Sequence, residues 1–173
     1  AKQDKTFCLL SGRTGSAKTV IIRQLQNSID LEGRANHRGS AFGQRLTPQP
    51  SPVTFECALT ADYLRHSQQN LVVADESRTI GSIGLPERWH QCMQQADIAL
   101  LEVDIDQRVG HIEQEYVHQA LEEAAQHGLT KEHVHQRYQS ALLRIGKRLG
   151  RIRLQTLQKR AELNDSIWNC QVF

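Results

Sequence analysis

The chain has 173 residues, of which 39% are hydrophobic and 5% aromatic, with a formal net charge of +2 and four cysteines. That length carries one domain with a sizeable core; no apolar run approaches the ~20 residues of a helical membrane span and no leader pattern is read, so no membrane-spanning helix is expected in these residues. Cys8, Cys57, Cys92 and Cys170 are scattered with no Cys-x-x-Cys pair, which excludes a disulfide scaffold and leads us to expect a reduced, cytoplasmic chain with no membrane partner.

The chain opens at Ala1, without methionine, and reads as a piece of a longer protein. Residues 6–11 form an apolar strand that stops at Gly12. A turn of small residues leads to Lys18-Thr19 and a helix predicted over 18–28. The spacing Gly12-x-x-x-x-Ala17-Lys18-Thr19 is the phosphate-binding loop pattern, with alanine where the pattern takes glycine. Amides at a helix start have no intrahelical acceptor, and the helix dipole adds positive charge there. Gly12, Thr14, Gly15, Ser16, Ala17, Lys18 and Thr19 are therefore candidate phosphate-binding residues. Lys18 supplies a mobile cation and Thr19 a hydroxyl for magnesium. If the backbone at Ala17 is left-handed, its methyl group costs on the order of 1 kcal/mol.

A short strand is expected at Ile29-Asp30-Leu31, with Asp30 and Glu32 facing the same sheet edge. Residues 32–43 are polar and contain three glycines, so they read as a long functional or mobile loop. Arg34, His37, Arg38 and Arg45 on or beside it suggest a second anion, a diphosphate or an RNA backbone, against the alternative of a solvated loop. Pro48, Pro50 and Pro52 precede a helix through Phe55, Leu59 and Leu64. Residues 71–74 read as a buried strand ending in Asp75, at the carboxyl edge where open α/β sheets bind ligands. Asp75 is a candidate to hold magnesium or its water, with Glu76 and Arg78 adjacent. A helix over about 86–95 and a second buried strand over 98–103 follow.

Apolar strands alternating with helices predict an α/β fold, P-loop NTPase-like, with a mostly parallel sheet between two helical layers. Helices are expected over 107–127, 131–148 and 150–168, the last two nearly continuous through Leu142, Ile145, Leu149 and Ile152. The whole reads as one domain, residues 1–173, with an α/β core over about 5–104 and a helical part over about 105–173. Arg144, Lys147, Arg148 and Arg151 are spaced to share one helical face, either an RNA phosphate-backbone stripe or a solvated face. His111, Glu115 and His118 stand near metal-ligand spacing without a cysteine and read as a wet helix face.

More specific blocks narrow the function. Leu10 to Thr19, Asp30-Leu31-Glu32-Gly33 with His37-Arg38-Gly39-Ser40 and Phe42-Gly43, Asp75-Glu76-Ser77-Arg78, and Leu85-Pro86 together resemble the C-terminal phosphate-loop domain of the tRNA 2-selenouridine synthase family, over about residues 6–155. The resemblance implies a transferase acting on the wobble uridine of tRNA. It exchanges the sulfur of 2-thiouridine for selenium from selenophosphate, through an S-geranylated intermediate made from geranyl diphosphate. It also implies a partner, the family's N-terminal rhodanese-like domain with the selenium-handling cysteine, which this sequence does not contain. The family continues past residue 173 with further helix and an edge strand, so the sheet is expected to be one strand short. On this reading the 12–19 loop cradles a diphosphate, and Arg38, Asp75 and Arg78 are the candidate catalytic residues. The rivals are an ATP- or GTP-using, magnesium-dependent NTPase or kinase, and a non-enzymatic tRNA-binding module whose loop is degenerate at Ala17.

Overall fold

Strand β1, Thr6–Gly12, is flanked on both sides by parallel neighbours. The computed structural model describes residues 5–163. After β1 come α1 (Lys18–Gln24), β2 (Ser28–Ile29), α2 (Leu31–Ala35) and α3 (Pro52–Arg65). Then follow β3 (Asn70–Ala74), a hairpin of β4 (Thr79–Ile80) and β5 (Ile83–Gly84), α4 (Glu87–Gln94) and β6 (Asp97–Leu101). The main sheet has the order β2-β3-β1-β6 and is parallel throughout. Because successive strand residues face opposite sides, β1 feeds two cores. Phe7 and Leu9 pack with Phe55, Leu59, Leu71, Val73 and Met93, from α3, β3 and α4. Leu10 packs on the other side with Ile22 of α1 and Ala74. Helices thus cover both faces of a mostly parallel sheet, the P-loop NTPase-like α/β architecture expected from the alternating pattern.

The remaining helices are α5 (Ile105–Glu113), a π-helical stretch (Gln114–His118), α6 (Gln119–Gln126), α7 (Lys131–Arg144), α8 (Gly146–Leu149) and α9 (Arg151–Leu163). The chain divides into two compact units between Glu123 and Ala124. The first holds the sheet, α1–α5 and the start of α6; the second holds the rest. In the second unit Val134, Ala141 and Leu142 of α7 are buried.

Several boundaries differ from the sequence reading, each for a local reason. The first helix ends at Gln24, because Leu25 turns extended and Ser28 joins β2. Residues 32–43 are not all loop: Asp30 accepts a 2.8 Å bond from the Gly33 amide and caps α2, so it does not face the sheet edge with Glu32. The strand read as buried over 98–103 is instead the outer strand β6, and Ile98 and Leu100 are each 64% exposed. An apolar run alone does not distinguish a central strand from an edge. The last two helices are not continuous. Ile145 ends α7, Gly150 (φ 77°) ends α8, and Ile152 is exposed. The end of the expected last helix, 164–168, and Cys170 lie outside the described residues. No helix among those residues is long and apolar enough to cross a membrane.

Candidate functional site

The loop between β1 and α1 wraps the mouth of a cavity of about 350 Å³, lined by Gly12 and by Thr14 through Thr19. Lys18 Nζ donates a 2.7 Å bond back to the Gly12 carbonyl. Ala17 has φ 61° and ψ 26°, a left-handed conformation that an L-residue adopts at a cost of roughly 1–2 kcal/mol. Ser16 is buried, and its hydroxyl has no hydrogen-bond partner. The loop is fastened from above by α5: Arg108 Nε donates to Thr14 O at 3.0 Å, and His111 Nδ1 lies 2.8 Å from Gly15 O. Gly15 permits this approach, since at φ 82° a β-carbon would stand 2.6 Å from the Arg108 carbonyl.

Acidic side chains meet the loop from α2 and from the end of β3. Thr19 Oγ1 donates a 2.6 Å bond to Glu32 Oε2. Glu76 lies beside Glu32; burial, then repulsion from Glu32, push its carboxyl up to about 7, with Lys18 opposing. Burial also raises Glu32, against the bond from Thr19. Gly39 (φ 66°) lets the chain pass over both, since a β-carbon there would stand 2.5 Å from Glu32 Oε1 and 2.8 Å from Glu76 Oε2. Asp75 lines the same cavity and accepts a 2.7 Å bond from Ser11 Oγ. Among the described residues, no group of three His, Cys, Asp or Glu side chains is arranged to hold a metal ion.

The four basic residues read from the 32–45 region separate. Arg38 and Arg45 line the cavity. Arg34 turns away into a two-pronged pair with Asp62, at 2.6 and 2.8 Å. His37 is buried, and its Nδ1 receives the Gly39 amide at 3.2 Å. The Arg38 side chain is only 1% exposed; its Nη2 donates to Glu123 Oε1 at 2.9 Å, and its Nε lies 3.6 Å from Glu115 Oε1. Arg45 donates to the same Glu123 oxygen. Tyr116 completes the wall. Its ring lies 5.8 Å from the Arg38 guanidinium, its hydroxyl 2.7 Å from Ser40 Oγ, and burial pushes that hydroxyl up to about 12.

Of the candidate catalytic residues, Arg38 and Asp75 reach the cavity. Arg78 does not line it; it forms an exposed 2.5 Å pair with Glu87. In the second unit Arg144, Lys147, Arg148 and Arg151 are all exposed, but they do not share one helical face. Arg144 ends α7, Lys147 and Arg148 sit on α8, and Arg151 opens α9, so the chain breaks at Ile145 and Gly150 interrupt the stripe.

His111 and Glu115, read with His118 as a wet helix face, also line the cavity, His111 with its side chain exposed; His118 does not line it. Their i, i+4 spacing was the one available signal. Tyr116 and Glu123 carried none that sequence reasoning used, because their partners lie 76 and 85 residues away, and nothing in the local pattern singles out Gln119, which lines the cavity.

Comparison with known proteins fits this geometry. The family model described as "tRNA 2-selenouridine synthase AAA domain" matches residues 5–167. The chain is 41% identical to the tRNA 2-selenouridine synthase of Shewanella frigidimarina, over 99% of this chain and 48% of that protein. It is 48% identical to that of Pseudomonas fluorescens over 68% of this chain and 33% of that protein. With the Sulfurovum protein of the same name the figures are 40% identity, 82% and 40%. The chain thus spans between a third and a half of the length of these curated relatives. No solved structure matches it significantly.

Proposed function

This chain belongs to the tRNA 2-selenouridine synthase AAA-domain family, and from that premise we propose that its cavity binds the diphosphate of geranyl diphosphate during wobble 2-thiouridine modification in tRNA. The observation that carries the reading is convergence. The 12–19 loop with Lys18, and Arg38 with Arg45 from a separate segment, line one cavity. In the prenyl step the geranyl C–O bond breaks as a C–S bond forms, and negative charge collects on the departing diphosphate. Loop amides, the Lys18 ammonium and the two guanidinium groups are the chain's means of stabilising it. Selenium transfer is assigned to the rhodanese-like domain, and the exposed Arg144, Lys147, Arg148 and Arg151 to the tRNA backbone.

Titration with geranyl diphosphate, ATP and tRNA tests this. Geranyl diphosphate is expected to bind, and Lys18→Ala to weaken it at least about tenfold, as loss of a charged contact does. Equal binding by both proteins would sink the assignment. A second reading, an ATP- or GTP-using site, draws support from Thr19 and Asp75, which line the same cavity and would be the residues to hold a nucleotide's magnesium. It predicts magnesium-dependent turnover that vanishes in Asp75→Asn. Salt-sensitive tRNA binding without affinity for any diphosphate points to the RNA-binding module instead.

A further inference from the structure

Two of the cavity's cations are already neutralised from within the chain. Glu123 Oε1 accepts from both Arg38 and Arg45, and Glu115 stands against Arg38 Nε. These two arginines and two glutamates carry no net charge together. Arg38 is nevertheless incompletely matched: its Nε and Nη1 are buried with no hydrogen-bond partner. An unmatched buried donor on a guanidinium costs on the order of 1–3 kcal/mol, which a better acceptor would recover. A carboxylate offers two oxygens; a phosphate group offers three and more charge. Glu123 is the more accessible member of the pair, for its side chain is 26% exposed while that of Arg38 is 1% exposed.

We propose that Glu123 is an internal counter-anion, occupying a second anion subsite built from Arg38 and Arg45, and that a phosphate group of the ligand displaces it. This rests on the reading that the cavity takes a phosphate compound. It adds that the ligand-free site is self-blocked, and that affinity is set by a contest between Glu123 and the ligand. The segment from α5 to α6 then acts as a latch, held to the phosphate loop by Arg108 and His111 at one end and to the basic pair by Glu123 at the other.

Calorimetric titration with inorganic pyrophosphate tests it. Glu123→Gln removes the competing charge and is expected to tighten pyrophosphate on the order of tenfold. Glu123→Asp keeps the charge but shortens the reach, and is expected to tighten it less. Glu113→Gln, an exposed acid on the same segment, controls for net charge and is expected to change nothing. Arg45→Ala combined with Glu123→Gln is expected to lose most of the gain. Unchanged or weaker binding in both Glu123 variants overturns the proposal, as does an equal gain in Glu113→Gln. Failure of both Glu123 variants to fold assigns that residue a purely structural role and overturns it equally. The parent reading fails separately, if the unaltered chain and Lys18→Ala bind pyrophosphate alike.

Discussion

Thr19 and Glu32 are joined by a 2.6 Å hydrogen bond from hydroxyl to carboxylate, which ties the first turn of α1 to α2. The bond draws Glu32 into the cavity, where Glu76 and Lys18 share its surroundings. Three of the chain's segments, the loop, α2 and the end of β3, are thereby held around one space.

The raised carboxyl of Glu76 makes stability pH-dependent in a defined sense. Its folded value, about 7, lies above the ordinary 4.5. The folded chain therefore holds the proton more tightly than the unfolded chain does. This contribution is fully present below about 4.5 and is lost as pH rises to about 7. Glu76→Gln is expected to abolish that decline. Urea midpoints for both proteins across pH 4.5 to 8 should diverge with rising pH, with the variant the more stable at the upper end.

Ala17→Gly relieves the left-handed strain at φ 61°. Glycine also gains freedom in the unfolded chain, which offsets part of the effect. A net stabilisation of about 0.5–1 kcal/mol is expected, read from urea denaturation. A loss of stability would show that the strain is not felt.

Gly39→Ala should act in the opposite direction. Its methyl group would meet two carboxylate oxygens within 2.8 Å, at a φ of 66°. Destabilisation of at least about 1 kcal/mol is expected. Pyrophosphate affinity should fall as well, because Glu32 and Glu76 line the same cavity as Lys18.

Arg78→Ala separates sequence proximity from spatial proximity. Arg78 follows Asp75 and Glu76 closely in the chain, yet pairs with Glu87 outside the cavity. Pyrophosphate affinity is expected to stay within about twofold, since exposed pairs contribute little. A tenfold loss would place the guanidinium at the ligand after all.

The loop and its two flanking elements were legible because Gly12, Lys18 and Thr19 are neighbours in sequence and the motif is local. Residues 71–74 were legible for the same reason. The β4–β5 hairpin was not, since strands of two residues have no periodicity to read. Arg38 and Arg45 were recognised as basic residues on a loop, but their counter-charge was invisible. Glu123 lies 85 residues from Arg38 and 78 from Arg45, on a helix whose local pattern gives it no distinction. Edge position, too, is a property of the assembled sheet, which is why β6 reads like β3 until both are placed.

The two borders of the sheet are unequal. On one side β6 offers five residues, with Ile98 and Leu100 exposed; on the other β2 offers two. Among the described residues each molecule therefore presents a single long template for strand addition. Association through such borders is self-limiting. Two copies that meet along β6 leave no second long border among the described residues, so that contact has no route to propagate through them into a fibre.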